Sequence, residues 1–202
     1  MRNTKYDHCP RVPEGALTVE MLCAGGGPVM LEIGPGRGMF ALQWAEANPE
    51  ARLIALEIRR KWATLLDERL RARHQGRARC FAEDANTVLP RLGPDGCVDF
   101  AAVHFPDPWW KKKHAKRLVV RDDFVHEMTR LLKPGATLLV QTDVEDRATE
   151  YFERLVAHPG LVAQGAPYVD ESPFAPARSN REARAAIDGL PVYRMVFVKA
   201  AG

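Results

Sequence analysis

The sequence predicts an α/β protein with a mostly parallel, doubly wound sheet, helices on both faces and a C-terminal antiparallel strand. The main observation is that short apolar runs alternate with amphipathic helical segments between residues 29 and 158. Such alternation, with short connections, is typical of parallel strands joined by crossover helices. A second observation is that the first apolar run leads into a glycine-rich turn. A final apolar run, 192–199, follows a long stretch without periodicity and is expected at the end of the sheet.

Each element is predicted from its own pattern. The continuous apolar run 29–33 predicts a buried strand, and helical spacing of apolar residues predicts a helix over 40–47. A longer amphipathic helix is predicted over 59–73, with Trp62, Leu65, Leu66 and Leu70 on one face. The same reasoning predicts strands over 52–56, 78–82, 98–105, 137–141 and 192–199, and helices over 85–92, 122–132 and 144–158. Pro-Gly pairs at 134–135 and 159–160 end the last two helices.

Length and composition predict a single domain over 1–202. A chain of 202 residues can bury a complete core, and 46% apolar with 27% charged residues excludes disorder for its bulk. Residues 1–27 are expected to be a short irregular segment with one short helix around 17–23. Residues 164–181 carry three prolines and no periodicity, so we expect a long loop on the substrate side.

Charge and cysteine content exclude several classes of protein. A net charge of +3 is too small to imply a polyanionic partner by itself. The N-terminus lacks an apolar signal region, and no stretch approaches the roughly 18 apolar residues of a membrane helix. The 4 cysteines form no C-x-x-C pair and the 6 histidines have no ligand spacing, so no metal is predicted. We expect a cytoplasmic protein with reduced thiols, without a membrane or an obligate protein partner.

The glycine-rich turn predicts a cofactor site. It reads Glu32-Ile33-Gly34-Pro35-Gly36-Arg37-Gly38, so the third glycine comes one position earlier than in G-x-G-x-x-G. Glycines let a ligand approach the main chain, and the helix N-terminus that follows favours negative charge. The Glu32 carboxylate repels a pyrophosphate but attracts the sulfonium and ammonium groups of S-adenosylmethionine.

Two further acids follow the next two predicted strands. Glu57 is expected to accept hydrogen bonds from ribose hydroxyls, and Asp84 from an adenine amino group. As alternatives, Glu57 is an exposed strand-end acid or pairs with Arg59 or Arg60, and Asp84 caps the next helix. Because acids follow three successive strands at the edge where open sheets bind ligands, we predict a nucleoside-type cofactor.

A basic, aromatic segment at 104–118 follows the fourth central strand and overhangs the same cleft. Asp107 lies between two prolines, Trp109 and Trp110 offer stacking faces, and 111–117 is rich in lysine and arginine. Cationic side chains bind phosphates and aromatic rings stack on bases, so this composition fits a nucleic-acid strand. The alternative is a solvated cationic loop whose tryptophans lie in the core.

These motifs together resemble the tRNA (guanine-N7-)-methyltransferases, the bacterial TrmB family, over about residues 29–199. The most specific motif is Phe105-Pro106-Asp107-Pro108-Trp109 with its basic continuation. The resemblance also rests on Leu31-Glu32-Ile33-Gly34-Pro35-Gly36-Arg37-Gly38, Glu57-Ile58-Arg59 with Lys61, Asp84-Ala85, Lys111-Lys112 with His114, Thr142-Asp143, Ser179-Asn180-Arg181-Glu182 and Gly189. It implies a Rossmann-like class I methyltransferase fold, S-adenosylmethionine as methyl donor, and methylation of N7 of guanine 46 in the tRNA variable loop.

The resemblance also implies roles for individual residues. Asp107 would be the catalytic residue. The cofactor would be contacted by Glu32, Gly34, Gly36, Gly38, Glu57, Asp84 and Asp107. The target nucleotide would be held by Lys111, Asp143, Ser179, Asn180, Arg181 and Glu182. The chain departs from the family in its short Pro- and Gly-rich N-terminal segment, in Trp110, and in Ser-Asn-Arg-Glu where Thr-Lys-Phe/Tyr-Glu is usual.

Three other readings remain open from the sequence. A small-molecule or other-RNA methyltransferase would share the cofactor half of the site. A non-catalytic RNA-binding module would keep only the scaffold, although Glu32, Glu57 and Asp107 are all present. A nicotinamide oxidoreductase is disfavoured by the glycine spacing and by Glu32.

Overall fold

A sheet of seven strands organises the computed structural model, which describes residues 6–106, 118–165 and 167–201. Its order is β4-β3-β2-β6-β7-β9-β8, with a separate two-stranded pair β1-β5. The strands are β1 Leu17–Thr18, β2 Val29–Ile33, β3 Arg52–Leu56, β4 Ala78–Phe81, β5 Leu92–Gly93, β6 Val98–His104, β7 Leu132–Thr142, β8 Leu161–Ala163 and β9 Tyr193–Lys199. The helices are α1 Val19–Leu22, α2 Met39–Ala47, α3 Arg60–His74, α4 Ala85–Val88, α5 Asp122–Leu131, α6 Glu145–Val156 and α7 Asn180–Asp188.

The strand pairing matches the predicted fold class. Strands β4, β3, β2, β6 and β7 pair in parallel, whereas β9 runs antiparallel between β7 and β8. The chain winds outward from β2 to β4, then returns to start β6 on the other side of β2. This reversal between β2 and β6 is the switch point at which doubly wound sheets bind ligands beyond the strand carboxyl ends.

All five residues of the central strand β2 are buried, and its apolar side chains pack into clusters on the two faces of the sheet. Leu31 and Ile33 belong to an apolar cluster with Phe124 and Tyr151. Met30 belongs to the other cluster, with residues of α2 and α3. Glu32 therefore lies on the side of Met30, because successive strand side chains point to opposite faces. A carboxyl group is thus placed within a fully buried strand.

The predicted elements differ from the observed ones where short segments interrupt the pattern. Instead of one helix over 85–92, α4 is followed by a 3-10 turn, Leu89–Arg91, and by β5, because Pro90 cannot continue the α-helical hydrogen bonding. The break predicted at 133–135 lies inside β7. There Leu132 pairs with Val98 and Thr137 pairs with Phe100, so the intervening residues bulge out of the ladder.

The segments outside the alternating region also carry structure that the periodicity did not predict. The expected helix around 17–23 is a two-residue strand followed by one helical turn. Residues 161–163 form β8, and the expected 164–181 loop ends at Ser179, where α7 begins. Among the described residues no helix is long and apolar enough to cross a membrane. The cysteines are free thiols, and Cys9, Cys23 and Cys80 are buried.

Candidate active site

The glycine-rich turn joins β2 to α2 at the switch point of the sheet. The N–H of Gly34 donates to the Leu56 carbonyl at 2.9 Å, and Gly38 closes the turn on Pro35. Gly34 has a φ of +76°, and a Cβ on it would lie 3.0 Å from the His104 carbonyl oxygen. Gly38 has a φ of +80°, and a Cβ there would overlap the Leu66 side chain. Both positions therefore require glycine on two grounds, conformation and space.

Glu57 binds the glycine turn from the end of β3. Its carboxylate is buried; Oε2 accepts from the N–H of Gly36 at 2.9 Å. Oε1 accepts from the N–H of Arg59 at 2.9 Å and from its Nε at 3.0 Å. The predicted pairing alternative with Arg59 is therefore present. Glu57 also lines a cavity, so it can still face a ligand.

Asp84 follows β4 and is the N-cap of α4. Its Oδ1 accepts from the N–H of Asn86 at 2.9 Å, so the capping alternative is also present. Asp84 is only partly buried and lines the same cavity as Glu57. One carboxylate can cap a helix through one oxygen and face a ligand through the other.

Glu32 lies fully buried beneath the turn, and among the described residues neither of its carboxyl oxygens has a hydrogen-bond partner. Burial first, and then the charge of Glu57, raise its pKa well above the usual carboxyl range. The nearest charged or titratable contact is Nε2 of His104, 3.6 Å from Oε1. Burial lowers the pKa of His104 to about 4, so at neutral pH this contact is not an ion pair.

His104 is held by the neighbouring strand. Its Nδ1 lies 2.9 Å from Oε1 of Gln141, its register partner on β7, and its ring lies 4.5 Å from that of Phe40. Within the described part of the chain, neither Nε2 of His104 nor Nε2 of Gln141 has a hydrogen-bond partner. Three polar side chains from β2, β6 and β7 thus form a buried, incompletely satisfied group below the ligand cleft.

Phe105 directs the chain out of β6 toward the basic segment. Its φ of +47° is a strained value for a bulky residue. Its N–H donates to the Gln141 carbonyl at 2.9 Å, which holds the strained conformation. Backbone strain of this kind clusters at functional sites.

Two cavities meet at the carboxyl ends of β2 and β6. The smaller, of about 470 Å³, reaches the acids Glu57 and Asp84. The larger, of about 870 Å³, extends to α7. Both are lined by Gly34, His104, Phe105, Arg59 and Pro106. A ligand in the smaller cavity could therefore present one end to a second ligand in the larger one.

The predicted late motif forms the start of α7 and the far wall of the larger cavity. Ser179 and Glu182 are buried and form a capping box, in which Ser179 Oγ accepts from the N–H of Glu182 at 3.1 Å. Glu182 also pairs with Arg194 at 2.8 Å. Asn180 Oδ1 accepts from the N–H of Met39 at 3.2 Å. Ser179 and Asn180 both line the cavity.

Asp143 and Arg181 form an ion pair in the wall of the same cavity. Asp143 follows β7, and its Oδ2 accepts from the guanidinium of Arg181 in an ion pair. Both side chains line the cavity wall. Asp107, Lys111 and most of the basic segment lie outside the described residues. No group of three or more His, Cys, Asp or Glu among the described residues could hold a metal ion.

The sequence missed several residues that line the cavities. His104, Arg37, Arg59 and Trp62 received no cofactor or substrate role, yet all four line the larger cavity. His104 and Arg59 lie close to motif residues that the sequence did identify, Phe105 and Glu57. Their position near the end of a strand was the signal that could have indicated a role in the site. Trp62 was assigned to an apolar helix face, and spacing alone does not separate core from cavity wall.

Comparison with known proteins identifies the relatives of this chain. The model of a protein family described as "Putative methyltransferase" matches residues 26–195. The tRNA (guanine-N(7)-)-methyltransferase of Anaeromyxobacter dehalogenans is 41% identical over 182 residues, which cover 87% of this chain and 87% of the relative. The protein of the same name from Myxococcus xanthus is 37% identical over 182 residues, which cover 87% and 85%.

Solved structures share the fold at lower identity. The 16S rRNA methyltransferase KamB superposes with a TM-score of 0.63 at 19% identity, covering 90% of this chain and 92% of KamB. TrmN from Thermus thermophilus superposes with a TM-score of 0.61 at 22% identity, covering 90% of this chain and 46% of TrmN. With the strand order, these likenesses confirm the predicted class I methyltransferase fold.

Proposed function

Because the chain belongs to the tRNA (guanine-N(7)-)-methyltransferase family, we propose that it methylates N7 of guanine 46 in the variable loop of tRNA. The observation that carries this proposal is the 41% identity over 87% of both chains. The site supports it independently, because Glu57 and Asp84, which follow two successive strands, line a cavity at the carboxyl edge of the sheet.

The described residues fit S-adenosylmethionine, which supplies the methyl group as a sulfonium electrophile. Glu57 would accept from ribose hydroxyls and Asp84 from the adenine amino group at the smaller cavity. The burial of Glu32 tests whether the site fits this cofactor. Two buried carboxyl oxygens without a partner are costly unless a cationic ligand or its hydration shell compensates them. The narrow glycine turn gives such a ligand access to the main chain.

Guanine N7 carries a free lone pair, so the reaction needs no base to remove a proton before attack. The protein has to align N7 with the methyl group and to stabilise the positive charge that appears on the purine. Asp107 is the proposed stabilising carboxylate; in the sequence it follows the strained Phe105 by two residues. Orientation can contribute ~7–11 kcal/mol to such a reaction.

The tRNA would lie in the larger cavity. Lys111 is proposed to contact phosphate, and Asp143, Ser179, Asn180, Arg181 and Glu182 to form or support the pocket of the target nucleotide. Within this group the capping box gives Ser179 and Glu182 a supporting position, because both are buried. Asp143, Ser179, Asn180 and Arg181 line the cavity directly, whereas Glu182 does not. A tRNA substrate and free thiols are consistent with the cytoplasmic location expected from the sequence.

The deciding experiment is transfer of a labelled methyl group from S-adenosylmethionine to an unmodified tRNA transcript, followed by nucleoside analysis. The expected product is 7-methylguanosine, and it should disappear with a transcript that carries adenine at position 46. Label in a different nucleoside would reject the proposed target. Cofactor binding without label in tRNA would favour a small-molecule methyltransferase, and tRNA binding without any transfer would favour a non-catalytic module.

A further inference from the structure

One wall of the larger cavity has no part in the reaction proposed above. Trp62, in the first turn of α3, is half-buried and lines this cavity. The Arg37 guanidinium carbon lies 5.2 Å from its ring centroid, and the Lys61 Nζ lies 4.8 Å from it. Both distances are within the range of cation–π contact. An indole that two cations contact therefore borders the ligand cleft.

The position of Trp62 is fixed by the face of α3 on which it lies. Leu66 and Arg69 follow it at intervals of four and three residues, so the three side chains share one side of the helix. Leu66 fills the space beside Gly38, and Arg69 Nη1 donates to the Arg37 carbonyl at 3.1 Å. This face of α3 is therefore anchored to the glycine turn, and Trp62 is its first residue along the chain.

Carboxylates compensate only some of the cations near this indole. The N-cap Arg59 is followed by Arg60 and Lys61, and the first turn of α3 contains no acidic residue. Cations at a helix N-terminus oppose the helix dipole. Arg59 and Arg60 face Glu57 and Asp7. Within the described part of the chain, no carboxylate forms an ion pair with Arg37 or Lys61, so both remain available to an external anion.

An aliphatic side chain also lines this cavity. Ile187 of α7, which is 77% exposed, lines the cavity together with Trp62. An aromatic face, an aliphatic face and available cations are the features that bind a base and its phosphate in single-stranded nucleic acid.

We propose that Trp62, Arg37 and Lys61 form a stacking platform for an unpaired nucleotide of the RNA other than the methylated guanine. The base would stack on the indole, and its phosphate would contact the two cations. The methylated guanine itself must reach the end of β6, whereas the platform lies across the glycine turn on α3. That the RNA is a tRNA rests on the proposed function. The stacking of an unpaired base on Trp62 does not depend on it.

Substitutions at Trp62 test the stacking. Trp62→Leu should weaken binding of unmodified tRNA and of a short single-stranded RNA by roughly 5- to 100-fold, the range for loss of one base–aromatic stack. Trp62→Phe keeps a ring and should recover most of the affinity. The cofactor Kd, measured separately, should change by less than threefold in both variants. Wild-type RNA affinity in a folded, cofactor-binding Trp62→Leu variant would overturn the proposal.

A charge variant keeps the test valid if Trp62→Leu fails to fold. Lys61→Gln alters an exposed side chain and should reduce the slope of log affinity against log salt by about 0.7, the contribution of one single-strand phosphate contact. Arg71→Gln is the matched control, because Arg71 is exposed on the same helix but lies nine residues beyond Trp62, whereas Lys61 contacts the indole. Equal slopes for the two variants would contradict the phosphate contact.

The two proposals can fail separately. If wild-type protein leaves tRNA unmethylated but Trp62→Leu still weakens single-stranded RNA binding, the platform stands and the proposed reaction falls. If 7-methylguanosine forms and RNA binding does not depend on Trp62, the reaction stands and the platform falls. A double-stranded RNA without loops should bind with the same affinity to wild type and Trp62→Leu, because its bases cannot reach the indole.

Discussion

Asn180 caps a helix that is 141 residues away in the chain: its Oδ1 accepts a hydrogen bond from the N–H of Met39 at 3.2 Å. Met39 is the first residue of α2, and its N-cap, Gly38, has no side chain to satisfy the exposed N–H groups. The start of α7 thus supplies the side-chain acceptor that the glycine turn lacks. This contact links the wall of the larger cavity to the helix that follows the cofactor turn.

Removing that cap should cost stability. Asn180→Ala is expected to reduce the free energy of unfolding by about 1 kcal/mol, the usual effect of losing an N-cap acceptor. Asn180→Asp keeps the acceptor and adds a negative charge near the N-terminus of α2, so it should match or exceed wild type. Urea denaturation of the three proteins checks this, and equal losses in both variants would show that the cap contributes nothing.

The two structural requirements at Gly38 can be separated by comparison with Gly135. Both have a positive φ, +80° and +81°, but a Cβ at Gly135 would meet nothing within 4 Å. Gly135→Ala should therefore cost only the conformational strain, about 1–2 kcal/mol. Gly38→Ala should cost a further ~1–3 kcal/mol, because the buried Leu66 side chain must repack. Equal destabilisation in chemical denaturation would mean that Leu66 moves aside without cost.

Glu32 should make the stability of the free protein fall as pH rises. An unfolded glutamate ionises near 4.5, whereas burial holds the pKa of folded Glu32 well above that value. Above pH 4.5 the unfolded state therefore loses its proton first, and stability declines until the folded carboxyl also ionises. Glu32→Gln should remove this component and be more stable than wild type at pH 8.

The same substitution, Glu32→Gln, should weaken binding of the cofactor. Binding of a cationic ligand favours the ionised carboxylate, so wild type should release a proton when S-adenosylmethionine binds. Titration calorimetry in buffers of different ionisation enthalpy measures that proton release. In Glu32→Gln the release should be absent, and S-adenosylmethionine should bind more weakly. A stabilised variant with unchanged affinity and unchanged proton release would remove Glu32 from the site.

His104 has the opposite effect, at acid pH. Its unfolded pKa is near 6.5 and burial lowers the folded pKa to about 4. As pH falls through this window the unfolded state binds the extra proton, so the stability contributed by neutral His104 declines by about 3 kcal/mol. His104→Asn keeps a donor for Gln141 and should flatten the stability profile between pH 6.5 and 4. Parallel profiles for the two proteins would contradict the lowered pKa.

The sequence predicted the fold where periodicity is long and the site where chemistry follows a strand end. Glu57 and Asp84 were identified because parallel strands bring their carboxyl ends to one edge. α7 was missed because a proline-rich stretch precedes it, although Ser179 and Glu182 at i and i+3 are a capping-box signal. β8, with 3 residues, is too short to show a period.

Contacts that depend on strand order could not be predicted. The approach of Glu32 to His104, and of His104 to Gln141, requires β6 to lie between β2 and β7. Nothing in the local sequence of those strands specifies that order. The contact between Asn180 and Met39 has the same origin, since it forms only when the sheet brings α7 beside α2.

Asp107 provides the sharpest test of the proposed reaction, although it lies outside the described residues. If its carboxylate stabilises the cationic purine, Asp107→Ala should reduce kcat by roughly 10²–10³-fold while the cofactor Kd changes by only a few-fold. A general base would give a pH-dependent loss that is restored at high pH. A charge-stabilising group gives a loss that does not depend on pH, because guanine N7 has no proton to lose. Single-turnover methyl transfer at several pH values, with Asp107→Asn as the isosteric control, separates these roles, and turnover near the wild-type rate in both variants would exclude Asp107 from the reaction.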